Sequence, residues 1–224
     1  MPPYVPPYVI AIDGVSSSGK GTLARNLASK LDYAYLDTGT LYRCFGLKAA
    51  SLALDTAHQE IISDKAKDIV ASINKDDLKN PQIKSDVAAM LASQISAYPA
   101  VRAALLNYQR DFAAHEAARQ GKTGVILDGR DIGTVICPDA NLKLFLTATP
   151  EIRAQRRMKE LQSAGIACTF GSVFDQMMKR DQQDQQRSTA PTLPAHDALI
   201  LDSSHHTADE MLQQVLTILE KRCV

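Results

Sequence analysis

The chain has 224 residues, 45% of them hydrophobic and 22% charged, with Lys+Arg and Asp+Glu at 25 each and a formal net charge of zero. That suits one globular domain with a sizeable core, and it excludes the global basic excess of a protein that binds a nucleic-acid polymer. Four scattered cysteines (Cys44, Cys137, Cys168, Cys223) form no Cys-x-x-Cys pair, so no zinc site or disulfide framework is expected and a reducing cytoplasmic setting fits.

The opening Met-Pro-Pro-Tyr-Val-Pro-Pro-Tyr lacks the basic and apolar regions of a signal peptide and reads as a short extended arm. No apolar run is long enough to cross a membrane. Val9-Ile-Ala-Ile-Asp13 is a short strand, and it runs into Gly14-Val15-Ser16-Ser17-Ser18-Gly19-Lys20-Gly21-Thr22. Behind that loop, Leu23, Leu27 and Leu31 recur at helical spacing. Strand, glycine loop, lysine and helix form the context of a phosphate-binding loop. Gly14 and Gly19 let the backbone turn and approach a ligand, inward N–H groups and the helix dipole favour an anion, and Lys20 can reach the outer phosphates. The strict pattern places Ser or Thr directly after the lysine; here Gly21 stands there and Thr22 follows.

Tyr33 to Leu36 reads as a second strand ending at Asp37-Thr38-Gly39, followed by a helix from about Thr40 to Leu54 that carries Tyr42 and Arg43. Residues 55 to 98 are polar, hold Asn80-Pro81 as a break, and read as inserted helical pieces. Ala100 to Gln120 is a better helix, with Val101, Leu105, Tyr108 and Phe112 as its expected apolar face. Val125 to Asp128 is the third strand and Leu142 to Thr147 the fourth. Thr149 and Pro150 suit the cap and first turn of a helix to about Ser163. Residues 164 to 195 hold a Gln-rich helix ended by Pro191 and Pro194, with Gly165 and Gly171 as candidate hinges. Ala198 to Leu201 is the fifth strand, and Thr207-Ala-Asp-Glu210 is a capping box that opens a last amphipathic helix.

Five short strands alternating with helices predict an α/β fold of three layers: a parallel sheet with helices on both faces. Ligands of such sheets sit beyond the carboxyl ends of the strands. The phosphate loop, Asp37-Thr38, Asp128-Gly129-Arg130-Asp131 and Asp202 all follow strands, so the polar signals converge on one edge. Arg43, Arg102, Arg130, Arg156, Arg157, Arg180 and Arg187 fall on or beside that edge. The planar fork of arginine suits phosphate oxygens, and phosphoryl transfer relies on positioning and charge neutralisation. For any one arginine the plainer alternative is a solvated helix face, above all for Arg156 and Arg157 beside Arg153. Arg180, Asp184 and Arg187 share one helical face. They form either a weak surface ion pair or a lid that folds over the transferring phosphate. Asp128 ends a strand as a Mg²⁺-organising carboxylate would, and Asp131 can accept from an amino group on a base.

These residues resemble the bacterial-type cytidylate kinases, nucleoside monophosphate kinases of the P-loop NTPase class, over nearly the whole chain. Gly19-Lys-Gly-Thr22, Asp37-Thr-Gly-Thr-Leu-Tyr-Arg43, Asp128-Gly-Arg-Asp-Ile-Gly-Thr134, Val101-Arg102 and the segment Arg180 to Arg187 before Ala190-Pro191 carry the likeness. The resemblance implies that ATP donates its γ-phosphate to CMP or dCMP with Mg²⁺. By carry-over, residues 14 to 22 hold ATP, and Thr22 meets the metal with waters held by Asp128. Arg43, Arg130 and Arg187 hold the acceptor phosphate, Arg180 and Asp184 the sugar, and Ser93, Arg102 and Asp131 the cytosine. Thr38 and Tyr42 line the acceptor pocket; Lys20, Arg156 and Arg157 stabilise charge on the donor side. The domain then divides into a core (about 8–54, 100–163 and 196–224), an acceptor-binding insert (about 55–99) and a lid (about 164–195), and a monomer is expected. Two departures stand out: the insert is short and lacks a clear β-hairpin, and Gln183 and Gln185 stand where some relatives carry arginines.

Two other readings are open on the residues. One is a kinase of another acceptor on the same fold, such as UMP, gluconate or dephospho-coenzyme A. The other is a nucleotide-binding regulatory module without transfer activity, for which a second anion site and a lid have no use.

Overall fold

The five apolar runs form the strands β1 (Tyr8–Gly14), β2 (Ala34–Asp37), β3 (Gly124–Asp128), β4 (Leu142–Thr147) and β5 (Leu199–Asp202). The eight α-helices are α1 (Lys20–Leu31), α2 (Thr38–Ser51), α3 (Gln59–Ala71), α4 (Asp86–Ile95), α5 (Pro99–Arg119), α6 (Pro150–Ser163), α7 (Phe170–Gln185) and α8 (Ala208–Arg222). They are seen in a computed structural model that describes residues 7–74, 76–187 and 189–222. The expected arm at residues 1–6 and Cys223 lie outside these.

The strands make one sheet in the order β2-β3-β1-β4-β5, with helices on both sides. β1 runs parallel to β3 and β4, and β4 parallel to β5. Alternation along each strand sorts the side chains. Ile10, Ile12, Ile126, Leu142, Leu144 and Leu201 pack in one core with Leu23 and Leu27 of α1 and Met211, Val215 and Leu219 of α8. The intervening positions of β1 and β4 carry Asp13 and Lys143, both buried. Polar side chains at buried strand positions need partners, and both find them: Lys143 Nζ lies 2.9 Å from Asp197, while Asp13 accepts from two backbone amides described below.

The chain separates into two compact units, one made of the segment through Leu36 together with Ala113 onward, the other of Asp37–Phe112. The second unit contains the expected insert and also α2, because α2 and α4 pack closely. A side chain at Gly46 would stand 2.7 Å from Leu91 Cβ, so glycine there lets the two helices meet. Leu41, Phe45, Ile62, Ile69 and Ile95 are fully buried in this unit. Among the described residues between 55 and 98 there is no strand.

Three local expectations are corrected. The buried line of α5 is Val101, Leu105, Gln109, Ala113 and Ala117, while Tyr108 is exposed and Phe112 only partly covered. A strict four-residue step persists along the helix; Gln109 donates from Nε2 to Leu105 O at 3.1 Å, while its buried Oε1 has no hydrogen-bond partner among the described residues. The helix α7 stops at Gln185, well before Pro191; its end is closed by Thr192 N donating to Asp184 O at 2.9 Å. Gly171 lies inside the first turn of α7 rather than at a hinge, whereas Gly165 adopts φ 77° just past α6.

Candidate active site

The phosphate loop joins β1 to α1. Gly14 has φ 148°, and a Cβ there would come within 2.1 Å of the Leu146 carbonyl oxygen, so only glycine fits against β4. Gly19, with φ 89°, ends the loop at the N-terminus of α1. Lys20 curls back and donates from Nζ to Val15 O at 3.0 Å, and Ser18 Oγ donates to the same oxygen at 3.0 Å. The position after the lysine is explained by space. A Cβ on Gly21 would stand 3.2 Å from Asp128 Oδ2, so this glycine leaves room for the buried carboxylate that ends β3. Tyr35 Oη donates to the other Asp128 oxygen at 3.4 Å.

Beside the loop lies a cleft of about 740 Å³, lined by Ser17, Gly19, Thr22, Arg156, Lys159, Ser203, His206 and Met211 among others. That volume suits a small-molecule ligand. Arg156 of α6 donates to Ser203 Oγ at 2.9 Å and Ser203 O at 2.6 Å, and Ser203 Oγ donates onward to Ser18 O at 2.7 Å. Arg157 points along the exposed flank of α6 and pairs with Glu160 at 3.2 Å.

Arg153, one turn earlier on α6, is buried rather than part of a solvated face. Its guanidinium donates to Ala148 O at 3.0 Å and Ser16 O at 3.3 Å and forms an ion pair with Asp181 of α7. Ser16 Oγ donates to the same carboxylate at 2.9 Å. One turn further along α7, Asp184 is 3% exposed; it accepts from Arg130 Nε at 3.2 Å and pairs with Arg187. Burial pushes the Asp184 carboxyl up, but Arg130, Arg187 and Arg180 outweigh it and hold it below its ordinary value. Asp181 and Asp184 are three residues apart, about 4.5 Å along a helix axis. The arginine cluster therefore adjoins the phosphate loop.

Asp128-Gly-Arg-Asp131 leads directly into a single π-helical turn, Ile132–Ile136. Ile132 N and Gly133 N donate to the two oxygens of Asp13, each at 2.7 Å. Burial pushes the Asp13 carboxyl up to about 6, against the lowering effect of those two amides.

In the second unit, Asp37 caps α2 by accepting from Thr40 N at 3.2 Å. Thr38, Tyr42 and Arg102 are buried, Ser93 and Arg43 partly so. The Arg102 guanidinium carbon lies 5.7 Å from the centre of the Tyr42 ring, and its Nη1 donates to Ser96 O at 3.4 Å. Ser96 Oγ in turn donates to Ser93 O at 2.9 Å.

Sequence reasoning thus anticipated the loop, Arg130, Arg180, Asp184 and Arg187 as neighbours. It missed Asp13, Arg153 and Asp181. Asp13 carried the signal that singled out Asp128, a carboxylate ending an apolar strand. Arg153 and Asp181 had none, since only the packing of α6 against α7 makes them partners.

Two parallel strands flanking a phosphate loop, with arginines delivered beside it from later helices, are the architecture of the phosphate-loop kinases. The family profile described as cytidylate kinase matches residues 10–221. Proteins named cytidylate kinase from Paramagnetospirillum magneticum and Rhodospirillum rubrum are each 46% identical over 94% of this chain, covering 97% and 96% of their own lengths. One from Granulibacter bethesdensis is 43% identical over 96% of this chain and 97% of its own. The chain belongs to the cytidylate kinase family.

Proposed function

We propose that this protein transfers the γ-phosphoryl group of ATP to CMP or dCMP, giving CDP or dCDP and ADP. The observation that carries the proposal is the cluster of arginines beside the phosphate loop. Arg130 and Arg187 converge on one buried carboxylate one helical turn from the residue that touches Ser16. A hydrolase or a switch has no use for such a cluster; a kinase whose acceptor is itself a phosphate must hold that phosphate next to the donor.

In this reading residues 14 to 22 cradle the triphosphate through backbone amides. Lys20 exchanges its bond to Val15 O for the outer phosphates. Arg156 neutralises charge from the α6 side, and Arg157 does so on leaving Glu160. The base and ribose of the donor lie in the cleft lined by Arg156, Ser203 and His206. Arg43, Arg130 and Arg187 grip the acceptor phosphate; Arg180 and Asp184 hold the sugar. Cytosine offers an amino donor to Ser93 or Asp131 and acceptors to Arg102, with Thr38 and Tyr42 against the pocket wall. A site with such buried partners rejects a base that leaves them unpaired. The helix α7 acts as the lid, excluding water that would otherwise take the phosphoryl group.

Mg²⁺ fits the residues present. Asp128 is buried beside the first turn of α1, and Thr22 faces the cleft. Among the described residues no group of three or more His, Cys, Asp or Glu could hold a metal alone. That suits an ion bound chiefly by phosphates and waters, as Mg²⁺ usually is. Bound there, it neutralises charge on the phosphate oxygens.

Release of ADP from ATP, followed with CMP, UMP, AMP and GMP in turn, tests the proposal. CMP is expected to be the best acceptor, UMP weak, and AMP and GMP nearly inactive. AMP, GMP or shikimate as the best acceptor would overturn it.

A further inference from the structure

The buried carboxylate of Asp13 has no part in the reaction as described above, yet the fold spends a fully buried acidic group on it. Asp13 is the last residue before the phosphate loop and is 3% exposed. Lys20 of the loop acts on its charge, but its hydrogen bonds go elsewhere. Both of its oxygens are committed to Ile132 N and Gly133 N at 2.7 Å. Those are the first amides of the π-helical turn that follows Asp131. The leading amides of a helical turn have no partner within it, because its own bonds run back from later residues: Val135 N and Ile136 N to Asp131 O, and Cys137 N to Ile132 O. Asp13 is therefore a cap supplied from a neighbouring strand, more than a hundred residues away in sequence.

We infer that Asp13 is a positioning residue for the acceptor half of the reaction, fixing the turn so that Arg130 and Asp131 face the CMP site. The segment it fixes is short. Gly129 N is held by Ile12 O at 3.0 Å, and Asp13 takes the amides of Ile132 and Gly133. Arg130 and Asp131 are the two residues between those anchors, so both ends of the pair are tied to consecutive residues of β1. The far side of the turn is equally constrained. A Cβ on Gly133 would stand 3.1 Å from Lys143 Cδ and 3.4 Å from Asp13 Oδ2, so the turn lies close against β4. Burial raises the Asp13 carboxyl to about 6, and the amides of Gly133 and Ile132 are the largest of the effects that oppose that rise.

The inference rests on the reading that Arg130 and Asp131 bind the acceptor, and the experiment separates the two. Asp13→Asn keeps the shape but turns one acceptor oxygen into a donor facing a backbone N–H. The variant is expected to raise the KM for CMP about tenfold or more while leaving the KM for ATP within about twofold, since a small misplacement of a binding group is amplified at the reacting centre. Combined with Asp131→Asn, it should add little to the worse single variant, because both act through one turn. An unchanged KM for CMP, or KM values for CMP and ATP that rise together, would overturn the inference. Should Asp13→Asn fail to fold, Gly133→Ala displaces the same turn from its other side and is read by the same two outcomes. Arg130→Ala and Asp131→Asn serve as controls. If neither alters the KM for CMP, the acceptor-site reading itself fails; if they do and Asp13→Asn does not, only the role of Asp13 is lost.

Discussion

The phosphate loop and the arginine cluster, both proposed as anion sites, are built from opposite materials. The loop is neutral backbone whose carbonyls accept from one lysine and from hydroxyls: Lys20 and Ser18 both donate to the Val15 carbonyl, and Ser203 donates to Ser18 O. The cluster is charge held by charge, with Arg130 and Arg187 on the carboxylate of Asp184. A phosphate entering the loop displaces carbonyl bonds to one lysine. A phosphate entering the cluster competes with a buried carboxylate, and a buried ion pair that loses a partner is costly to leave unpaired. On the proposed reading, exchange of partners is most demanding at the second substrate's site, and α7, which carries Asp184, is the element that must adjust.

The contrast can be broken first at its joint. Asp181 bridges Arg153 and Ser16, tying α7 to the loop. Asp181→Ala leaves a buried guanidinium unpaired and is expected to lower stability by about 3–5 kcal/mol, read as a shift of the urea midpoint. A shift no larger than that of an exposed pair would mean that the bridge is solvated in solution. Lys20→Ala should remove about 3–4 kcal/mol of transition-state stabilisation, the scale of one charged donor in a preorganised site. Steady-state kinetics should show that loss with the affinity for CMP retained. Arg130→Ala should cost more than about 2 kcal/mol in kcat/KM for CMP; turnover near that of the unaltered chain would remove Arg130 from the mechanism.

pH sharpens the contrast further, because two buried carboxylates titrate with opposite signs. Asp13 is raised to about 6 from 3.8, so the folded chain binds its proton more tightly than the unfolded one. Its contribution to stability grows as pH falls through 6 toward 4, by about 1–3 kcal/mol. Asp184 is held below its ordinary value, so the stability it brings is present above pH 4 and is lost as pH falls through its folded value. Denaturation of the wild type and of Asp13→Asn between pH 8 and pH 5 should show the wild type gaining on the variant as the solution is acidified. A constant difference would contradict the buried, ionised Asp13. The smallest effect belongs to Arg157→Ala. Its exposed pair with Glu160 is worth no more than about 1 kcal/mol, so stability should scarcely move while the KM for ATP rises.

Much of this was legible in the chain. Alternating apolar runs of four to seven residues located all five strands, and the glycine loop, Thr149 and the Thr207–Glu210 box located helix starts to within two residues. Such features are local: caps, turns and strand periodicity act within a few residues. The order of the strands was not read, nor the inclusion of α2 in the second unit, because both depend on packing at a distance. The resemblance accounts for Gly21 as the family's form of the loop, but its physical reason, the Asp128 carboxylate beside it, depends on packing at a distance. Arg153 looked like solvated surface because its partner Asp181 lies on another helix. Asp13 was overlooked although it stood in plain view, since its acceptors are spent on amides of a turn that periodicity does not announce.

Two separate anion sites, one of backbone and one of arginines, are proposed to hold two different nucleotides. Calorimetric titration of CMP and of ATP, each alone, into the full chain and into Arg130→Ala tests this most directly. The full chain is expected to bind both, and Arg130→Ala to lose about tenfold or more in affinity for CMP while keeping that for ATP. Unaltered binding of CMP to Arg130→Ala, or no binding of CMP to the full chain, would contradict it.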